Sequence, residues 1–227
     1  MAIAVEDFCV ESPASPPNPA RYYPIGLNAG FSVFEDNTAV HVEASDPNFS
    51  QLDKIAKDFN VVIFLQMLDG TDRKRNQVAA HALVGPCLCN AYERDDFEAE
   101  DLDDAYFVLA ILLPGDIIAE NVMAALVGLW YPCPANTVKS SYESVHKDYQ
   151  SQKFGSLLFK ALEVAAVYLS KNDRFIMLNL LGETILPIQV CVDLSDPLWH
   201  VEMLLKKGYE EIDRVDGARV MEKLLTL

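Results

Sequence analysis

The sequence predicts one α/β domain built on a mixed, mostly antiparallel twisted sheet flanked by helices. Strand-like stretches rich in β-branched and aliphatic residues recur up to residue 131. From Phe154 onward, apolar residues recur instead at three- and four-residue spacing, which is typical of an amphipathic helix packed on a sheet. The chain has 227 residues, of which 51% are hydrophobic and 23% are charged. That balance is typical of a chain that folds around a single core.

Residues 1–24 and 93–104 interrupt this pattern. The first segment is rich in proline and serine, which favour extended or turn conformations, so we expect a lead-in ahead of one domain at 25–227. The second segment, ERDDFEAEDLDD, crowds like charges together. Because these charges would repel one another in a packed element, the segment predicts an exposed acidic insertion.

The first half of the domain contains four candidate strands and one short helix. The helix is expected over Lys54–Phe59, after the start signal Asp46-Pro47. Asp69-Gly70, between the first two strands, is typical of a tight turn and predicts a hairpin. The fourth stretch is also compatible with a buried helix. The predicted strands are Val61–Met67, Val78–Val84, Tyr106–Leu113 and Val122–Tyr131.

The second half predicts strands that alternate with helices. A polar loop at 146–153 leads into an amphipathic helix that begins at Phe154 and ends near 170–172. Asp196-Pro197 marks the start of a last helix, which Gly208 terminates. The predicted strands are 141–145, Phe175–Leu181, Ile188–Leu194 and Val220–Leu225.

Charge and cysteine content limit the partners and the compartment. The formal net charge of −16 repels nucleic acid and anionic membranes, and it suits an amine-bearing small molecule or a basic peptide or protein. Neither a secretory signal nor a membrane-spanning apolar run is recognisable, so we expect a cytoplasmic protein. The five scattered cysteines indicate reduced thiols and predict no metal site. An oligomer is compatible with all of these features.

The segment 142–166 carries the strongest sign of chemistry, because a short strand runs through a polar loop into a helix. The first N–H groups of the helix and the positive end of its dipole face the loop, and such an arrangement binds phosphate or another anion. Gly155 permits close backbone approach, Ser156 adds a hydroxyl group, and Lys153 adds a positive charge. The sequence therefore predicts an anion site at the start of this helix.

This segment, VHKDYQSQKFGSLLF, resembles the acyl-CoA motif of the GNAT N-acetyltransferases, in which a strand ending in valine is followed by a turn and a Gly-x-Gly at the mouth of a helix. Gly208-Tyr209 resembles the Gly-Phe pair that ends the family's late helix, and 220–223 resembles its closing strand. The resemblance implies a GNAT-like sheet, with acetyl-CoA or another acyl-CoA as cosubstrate and an amine as acceptor. It assigns the backbone of Val145 to the pantetheine arm. The residues it assigns to the pyrophosphate are Gln150, Ser151, Gln152, Lys153, Phe154, Gly155 and Ser156.

The chain departs from the family at three positions. Lys153 replaces the first glycine of the Gly-x-Gly pair, Pro197 stands where the family often has an asparagine that contacts CoA, and Leu204 stands at the frequent general-acid tyrosine. A leucine cannot donate a proton to a leaving thiolate. The activity that the resemblance implies is acyl-CoA-dependent N-acyl transfer, and the alternative is a catalytically degenerate GNAT-fold protein that acts as a binding or assembly module.

Three residues near the strand end are candidates for the general base that takes a proton from the amine. Glu143 lies two residues before Val145 and is therefore expected on the same strand face, whereas Tyr142 is expected on the opposite face. His146 is the third candidate, in the polar loop. His200, in the late helix, is expected to be structural.

Overall fold

The structure is a computed structural model, and it describes residues 27–35, 38–41, 47–68, 73–88, 97, 105–114, 121–131, 137–171, 185–196, 198–215 and 217–226. The predicted lead-in at 1–24, the predicted strand Phe175–Leu181 and all but Phe97 of the predicted acidic insertion lie outside the described residues.

Nine strands of the described chain form one sheet, in the spatial order β2-β1-β3-β4-β5-β6-β7-β9-β8. Their bounds are β1 Gly30–Glu35, β2 Thr38–His41, β3 Val62–Met67, β4 Ala105–Leu112, β5 Val122–Tyr131, β6 Thr137–Val145, β7 Ile185–Asp193, β8 Glu210–Val215 and β9 Ala218–Thr226. The pairs β1/β3 and β6/β7 are parallel, and all other neighbouring pairs are antiparallel. The predicted mixed and mostly antiparallel sheet is therefore confirmed.

Helices cover both faces of this sheet: α1 Pro47–Phe59, α2 Arg73–Val84, α3 Phe154–Lys171 and α4 Leu198–Lys206. One face packs against α1, α3 and α4 through residues such as Leu52, Leu162 and Leu204. The other face packs against α2, where Ala80 and Leu83 are buried. The sheet is apolar on both faces for this reason, and each helix contributes one apolar stripe to the core.

The predicted strand Val78–Val84 and the hairpin before it are wrong, because this stretch belongs to helix α2. Ala80, Leu83 and Val84 are fully buried, at the three- and four-residue spacing of a helix face. Alanine is the strongest helix former, so the three alanines of the stretch outweigh its β-branched ends. Strands β3 and β4 do pair antiparallel, but α2 stands between them in the chain.

Within the described residues, the other predicted elements agree with the structure. Three strands, β1, β2 and β8, were not indicated by the sequence pattern. Helix α1 begins at Pro47, α3 begins at Phe154, and Gly208 follows α4 with a φ of +84°, a conformation that glycine adopts easily. The stretch Val122–Tyr131 is a strand rather than a helix. Strand β8 was missed because all six of its residues are exposed, as is usual at a sheet edge, so it lacks an apolar pattern. The strands β1 and β2 were also missed.

Gly128 on β5 allows the ring of Phe107 on β4 to lie across it. A Cβ atom at position 128 would lie 2.1 Å from Cζ and 2.3 Å from Cε1 of this fully buried ring. We therefore expect Gly128→Ala to lower the free energy of unfolding by about 1–3 kcal/mol, measured by chemical denaturation. Gly85→Ala is the control, because nothing lies within 4 Å of the added Cβ. Equal denaturation midpoints for both variants would contradict this packing.

Candidate active site

The registered pairing of β6 with β7 stops before the carboxyl ends of the two strands. Their parallel register covers Val138↔Ile188, Lys139↔Gln189 and Ser140↔Val190, although the strands continue to Val145 and Asp193. The carboxyl ends of parallel strands lie at the same edge of a sheet, and there residues 141–145 have no registered partner in β7. We call this unpaired end of the two strands the cleft, and a strand edge of this kind pairs readily with an extended ligand.

A β-bulge in β6 changes the direction of the side chains beside the cleft. The register with β5 shifts between Ala125 and Val127, and Tyr142 in the bulge has a φ of +55°. Residues three apart on a regular strand point to opposite faces, yet the Ser140 hydroxyl group donates a hydrogen bond to Oε1 of Glu143. The bulge brings these two side chains together, as bulges beside active sites often do.

Glu143 accepts a hydrogen bond from Ser140, and the charges of His200 and Asp196 act on its carboxyl group; we call these four residues the Glu143 cluster. Burial raises the pKa of the Glu143 carboxyl group, while the hydrogen bond from Ser140 and the charge of His200 act in the opposite direction. His200 Nδ1 lies 3.4 Å from Oδ2 of Asp196, four residues earlier. The cluster therefore combines a strand carboxylate with a nearby histidine–carboxylate pair at the start of α4, whose charges act on it.

Tyr209, directly before β8, places a buried hydroxyl group near this cluster. The side chain is 1% exposed and its ring meets Phe159 edge-on, with 6.4 Å between centroids. Its hydroxyl oxygen has no hydrogen-bond partner among the described residues. Burial raises the pKa of this phenol well above its ordinary value, and the carboxylates of Glu163 and Glu143 raise it further. The hydroxyl group therefore keeps its proton at every physiological pH.

Of the three predicted base candidates, only Glu143 belongs to this cluster. The Tyr142 ring packs edge-on against Phe97, 4.8 Å between centroids, in the core on the other face of the sheet. His146 caps the short 3₁₀ turn Lys147–Tyr149, where its Nδ1 accepts a hydrogen bond of 3.3 Å from the N–H of Asp148. His200 was missed as a member because it was interpreted as structural, although the spacing Asp-x-x-x-His was visible in the sequence.

The loop between β6 and α3 folds back on the strand end. The side-chain amide of Gln150 donates to the carbonyl oxygen of Val145 at 3.4 Å, and that of Gln152 donates to the carbonyl oxygen of Asp148 at 3.1 Å. Ser151 and Lys153 both have left-handed backbones, with φ values of +64° and +70°. These two left-handed residues, one residue apart, make a compact turn directly before the helix.

Helix α3 begins at this loop with its first N–H groups outside the helical ladder. The first helical hydrogen bond runs from the N–H of Leu157 to the carbonyl oxygen of Lys153, 3.0 Å, so the N–H groups of residues 154–156 precede it. The Phe154 ring is buried and packs edge-on against Tyr149 of the loop, with 6.1 Å between ring centroids, which holds the loop against the start of the helix. A Cβ atom on Gly155 would lie 3.6 Å from Cγ2 of Val145, which places the helix start against the strand end.

The departures from the family pattern have different structural settings. Leu204 is fully buried in the core beneath α4, and Pro197 lies outside the described residues. Lys153 is exposed and adopts the left-handed conformation that a glycine adopts without strain.

Lys153→Gly is expected to be more stable than Lys153→Ala by about 1 kcal/mol in free energy of unfolding, because a Cβ atom makes the left-handed conformation costly. Both variants lose the same ammonium group, so the difference isolates the backbone. At Lys147, which lies in the 3₁₀ turn and has no positive φ, the glycine variant should be no more stable than the alanine variant. Denaturant unfolding measures both pairs, and an alanine variant at 153 as stable as the glycine variant would contradict the strained conformation.

The described part of the chain has neither a metal cluster nor a membrane-spanning helix. Among those residues, no group of three or more His, Cys, Asp and Glu side chains is arranged to hold a metal ion. None of the described helices combines the length and the apolar character that crossing a bilayer needs.

Comparisons with known proteins give matches among solved structures alone: no protein-family model and no curated protein matches the chain. The ribosomal-protein-S18-alanine N-acetyltransferase from Escherichia coli is 15% identical, with a TM-score of 0.42 over 71% of this chain and 92% of that chain. The PaiA N-acetyltransferase from Thermoplasma acidophilum, solved in complex with coenzyme A, is 14% identical, with a TM-score of 0.42 over 71% and 98%. The GNAT domain of S. lividans PAT is 16% identical, with a TM-score of 0.38 over 60% and 70%.

Proposed function

We propose that the protein is an acyl-CoA-dependent N-acyltransferase that transfers an acetyl or other acyl group to an amine. The observation that carries this proposal is the cleft between β6 and β7, which has the Glu143 cluster beside it and the start of α3 at the same end of β6. An extended pantetheine chain has amide groups that pair with a strand edge, and its pyrophosphate needs N–H donors at the end of that strand.

The cofactor residues proposed from the sequence suit these two tasks. The backbone of Val145 lies at the end of the strand edge that borders the cleft, and the N–H groups of Gly155 and Ser156 precede the helical ladder. The ammonium group of Lys153 is exposed at the loop and adds charge for a phosphate. Gln150, Ser151, Gln152 and Phe154 complete the loop through their backbone groups. When bound there, an acyl-CoA supplies an activated thioester.

Glu143 is the proposed general base. The attacking amine must lose a proton as its nitrogen forms a bond to the acyl carbon and the carbon–sulfur bond breaks, and the Glu143 carboxylate accepts that proton. A raised pKa makes this carboxylate a stronger base than an exposed glutamate. The acidic surface of a chain with net charge −16 favours a cationic acceptor, such as a polyamine or a basic peptide.

Tyr209 is proposed to donate a hydrogen bond to the sulfur of the leaving thiolate, because Leu204 has no hydrogen-bond donor in its side chain. Its hydroxyl group stays protonated, is buried without a described partner, and lies near enough to Glu143 for that charge to raise its pKa. A buried hydrogen-bond donor without a partner lowers the stability of the folded protein. A bound ligand that accepts a hydrogen bond from the hydroxyl group would remove this destabilisation.

Tyr209→Phe is therefore expected to lower kcat for acyl transfer about 10²-fold and to raise the free energy of unfolding by about 1 kcal/mol. Steady-state kinetics and thermal unfolding measure the two effects. The control Tyr168→Phe removes the hydroxyl group of a ring that packs on Phe49 of α1, and it should leave kcat unchanged. Unchanged kcat in Tyr209→Phe would remove this residue from the mechanism.

The proposal is tested by calorimetric titration with acetyl-CoA, followed by an acylation assay with spermidine and with a lysine-containing peptide. We expect saturable 1:1 binding and transfer to at least one amine. A protein that binds acetyl-CoA without acylating any amine would favour the second candidate, a degenerate GNAT-fold binding module, for which the buried Leu204 at the acid position is the specific observation. A protein that does not bind acetyl-CoA would refute the proposal.

A further inference from the structure

A second concave site lies away from the cleft, between α1, α3, the end of α4 and strand β9. It is a pocket of about 410 Å³, within the range of small-ligand sites. Its lining includes no residue of the Glu143 cluster and none of the loop 146–153. Val164, Val167 and Leu225 provide an apolar wall, and the rest of the lining is mostly charged or polar. None of the residues that line this pocket, which we call the lysine pocket, is assigned to the acyl-CoA site proposed above.

Three lysines from three different elements converge on the lysine pocket. Lys160 lies on α3, Lys207 follows α4, and Lys223 lies on β9, while Glu163 is the one carboxylate in the lining. At neutral pH these four groups sum to a charge of +2, three positive against one negative, in a chain whose net charge is −16. The pocket therefore presents a local positive potential within a strongly negative protein, which attracts small anions.

Hydrogen bonds hold the three ammonium groups in place. Lys160 Nζ donates to Oε1 of Gln51 at 2.8 Å, Lys207 Nζ donates to the carbonyl oxygen of Ser156 at 2.9 Å, and Lys223 Nζ lies 2.9 Å from Oε1 of Glu163. Two of these acceptors are neutral, so two of the positive charges are positioned but not neutralised.

The ammonium groups are also close enough to repel one another. Burial lowers the pKa of Lys207 most, and the charges of Lys223 and Lys160 lower it as well, against the opposing effect of Glu163. Bringing like charges together costs stability. A bound dianion would offset this repulsion, because it attracts all three ammonium groups.

We propose that the lysine pocket binds a small organic phosphate, a phosphomonoester dianion with a short carbon body. Lysine ammonium groups recognise phosphate as point charges. The two charges of a phosphomonoester match the local excess of +2, and its carbon body faces the apolar wall of Val164, Val167 and Leu225. The ligand is a free phosphate ester and not a phosphate group of acyl-CoA, because the lining excludes the loop proposed for that cosubstrate.

The test is calorimetric titration of the full chain with glycerol 3-phosphate, compared with the double variant Lys160→Gln/Lys207→Gln. Glutamine keeps a side-chain amide that can donate to Gln51 or Ser156, so the fold should be retained, and circular dichroism checks this. We expect binding to the parent protein and at least about a tenfold rise in Kd in the double variant. The matched control is Lys54→Gln/Lys206→Gln, which removes the same charge from exposed positions on α1 and α4 and should leave Kd unchanged.

Further titrations separate the lysine pocket from the proposed acyl-CoA site and from non-specific binding of anions. Acetyl-CoA should bind the lysine-pocket variant as it binds the parent, so failure of the acyl-CoA proposal leaves this proposal standing. If the double variant does not fold, Lys223→Gln alone takes its place, with the same expected rise in Kd. Absence of glycerol 3-phosphate binding, equal weakening in the control variant, or equal affinity for sulfate would overturn the proposal.

Discussion

Glu143→Gln is expected to lower kcat for acyl transfer by about 10²- to 10⁴-fold, the usual contribution of a general base. The glutamine carbonyl oxygen still accepts the hydrogen bond from Ser140, so the bulge and the cleft should keep their shape. Affinity for acetyl-CoA, measured by calorimetry, should therefore change little. Glu202→Gln on the exposed side of α4 is the matched control and should retain parental kcat. Parental activity in Glu143→Gln would remove this carboxylate from the mechanism.

The same residue determines the pH dependence expected for the parent protein. Only the deprotonated carboxylate can accept a proton, so kcat/KM should be constant at high pH and fall as the pH drops through the raised pKa of Glu143. Stability moves in the opposite direction. Because the folded state binds this proton more tightly than the unfolded state, the contribution of Glu143 to stability is greatest at low pH and is lost as the pH rises from the ordinary pKa through the raised pKa. Both effects should be absent in Glu143→Gln.

Gly155→Glu is expected to weaken acetyl-CoA binding by about 10²-fold or more, because it places a negative charge where the pyrophosphate is proposed to bind. A Cβ atom fits at this position, 3.6 Å from Val145 Cγ2, so Gly155→Ala should change the affinity little. Gly155→Gln has the bulk of glutamate without its charge and separates the two effects. A carboxylate in the first turn of a helix is favourable for folding, so thermal unfolding should show an intact protein.

Calorimetry of these three variants also tests the location of the site. Affinity that falls in the order alanine, glutamine, glutamate supports an anion at the start of α3. Parental affinity in Gly155→Glu would move the cosubstrate to another part of the molecule.

The sequence predicted secondary structure best in segments whose apolar residues follow a single periodicity, either that of a helix or that of a strand. Helix α3 was found at its first residue, Phe154, because its apolar stripe is long and the preceding loop is polar. The stretch Val78–Val84 combines β-branched ends with alanines, and only the packing of α2 on the sheet decides between strand and helix. Strand β8 is exposed throughout, so its pairing with β9 has no signature in composition.

The sequence indicated only those residues of the candidate site that are close together in the chain. Glu143 and the loop are neighbours in sequence, and their spacing was sufficient to select them. Ser140, His200 and Tyr209 join them only through a bulge at Tyr142 and through the packing of α4 and β8, which bring distant segments together. A left-handed tyrosine in a strand is rare enough that no local pattern predicts it.

The short stretch of pairing between β6 and β7 also has a consequence for how the protein unfolds. Strands β7 and β9 pair along nine positions, and they form with α4 and β8 a continuous stretch of the chain, residues 185–226. This stretch is attached to the rest of the sheet by the three registered pairs between β6 and β7 and by the apolar core beneath α3. A segment with local internal contacts and a narrow attachment is the kind of unit that opens cooperatively by itself. We therefore expect the carboxyl-terminal stretch to open as a unit, with the cleft as the boundary between it and the remainder.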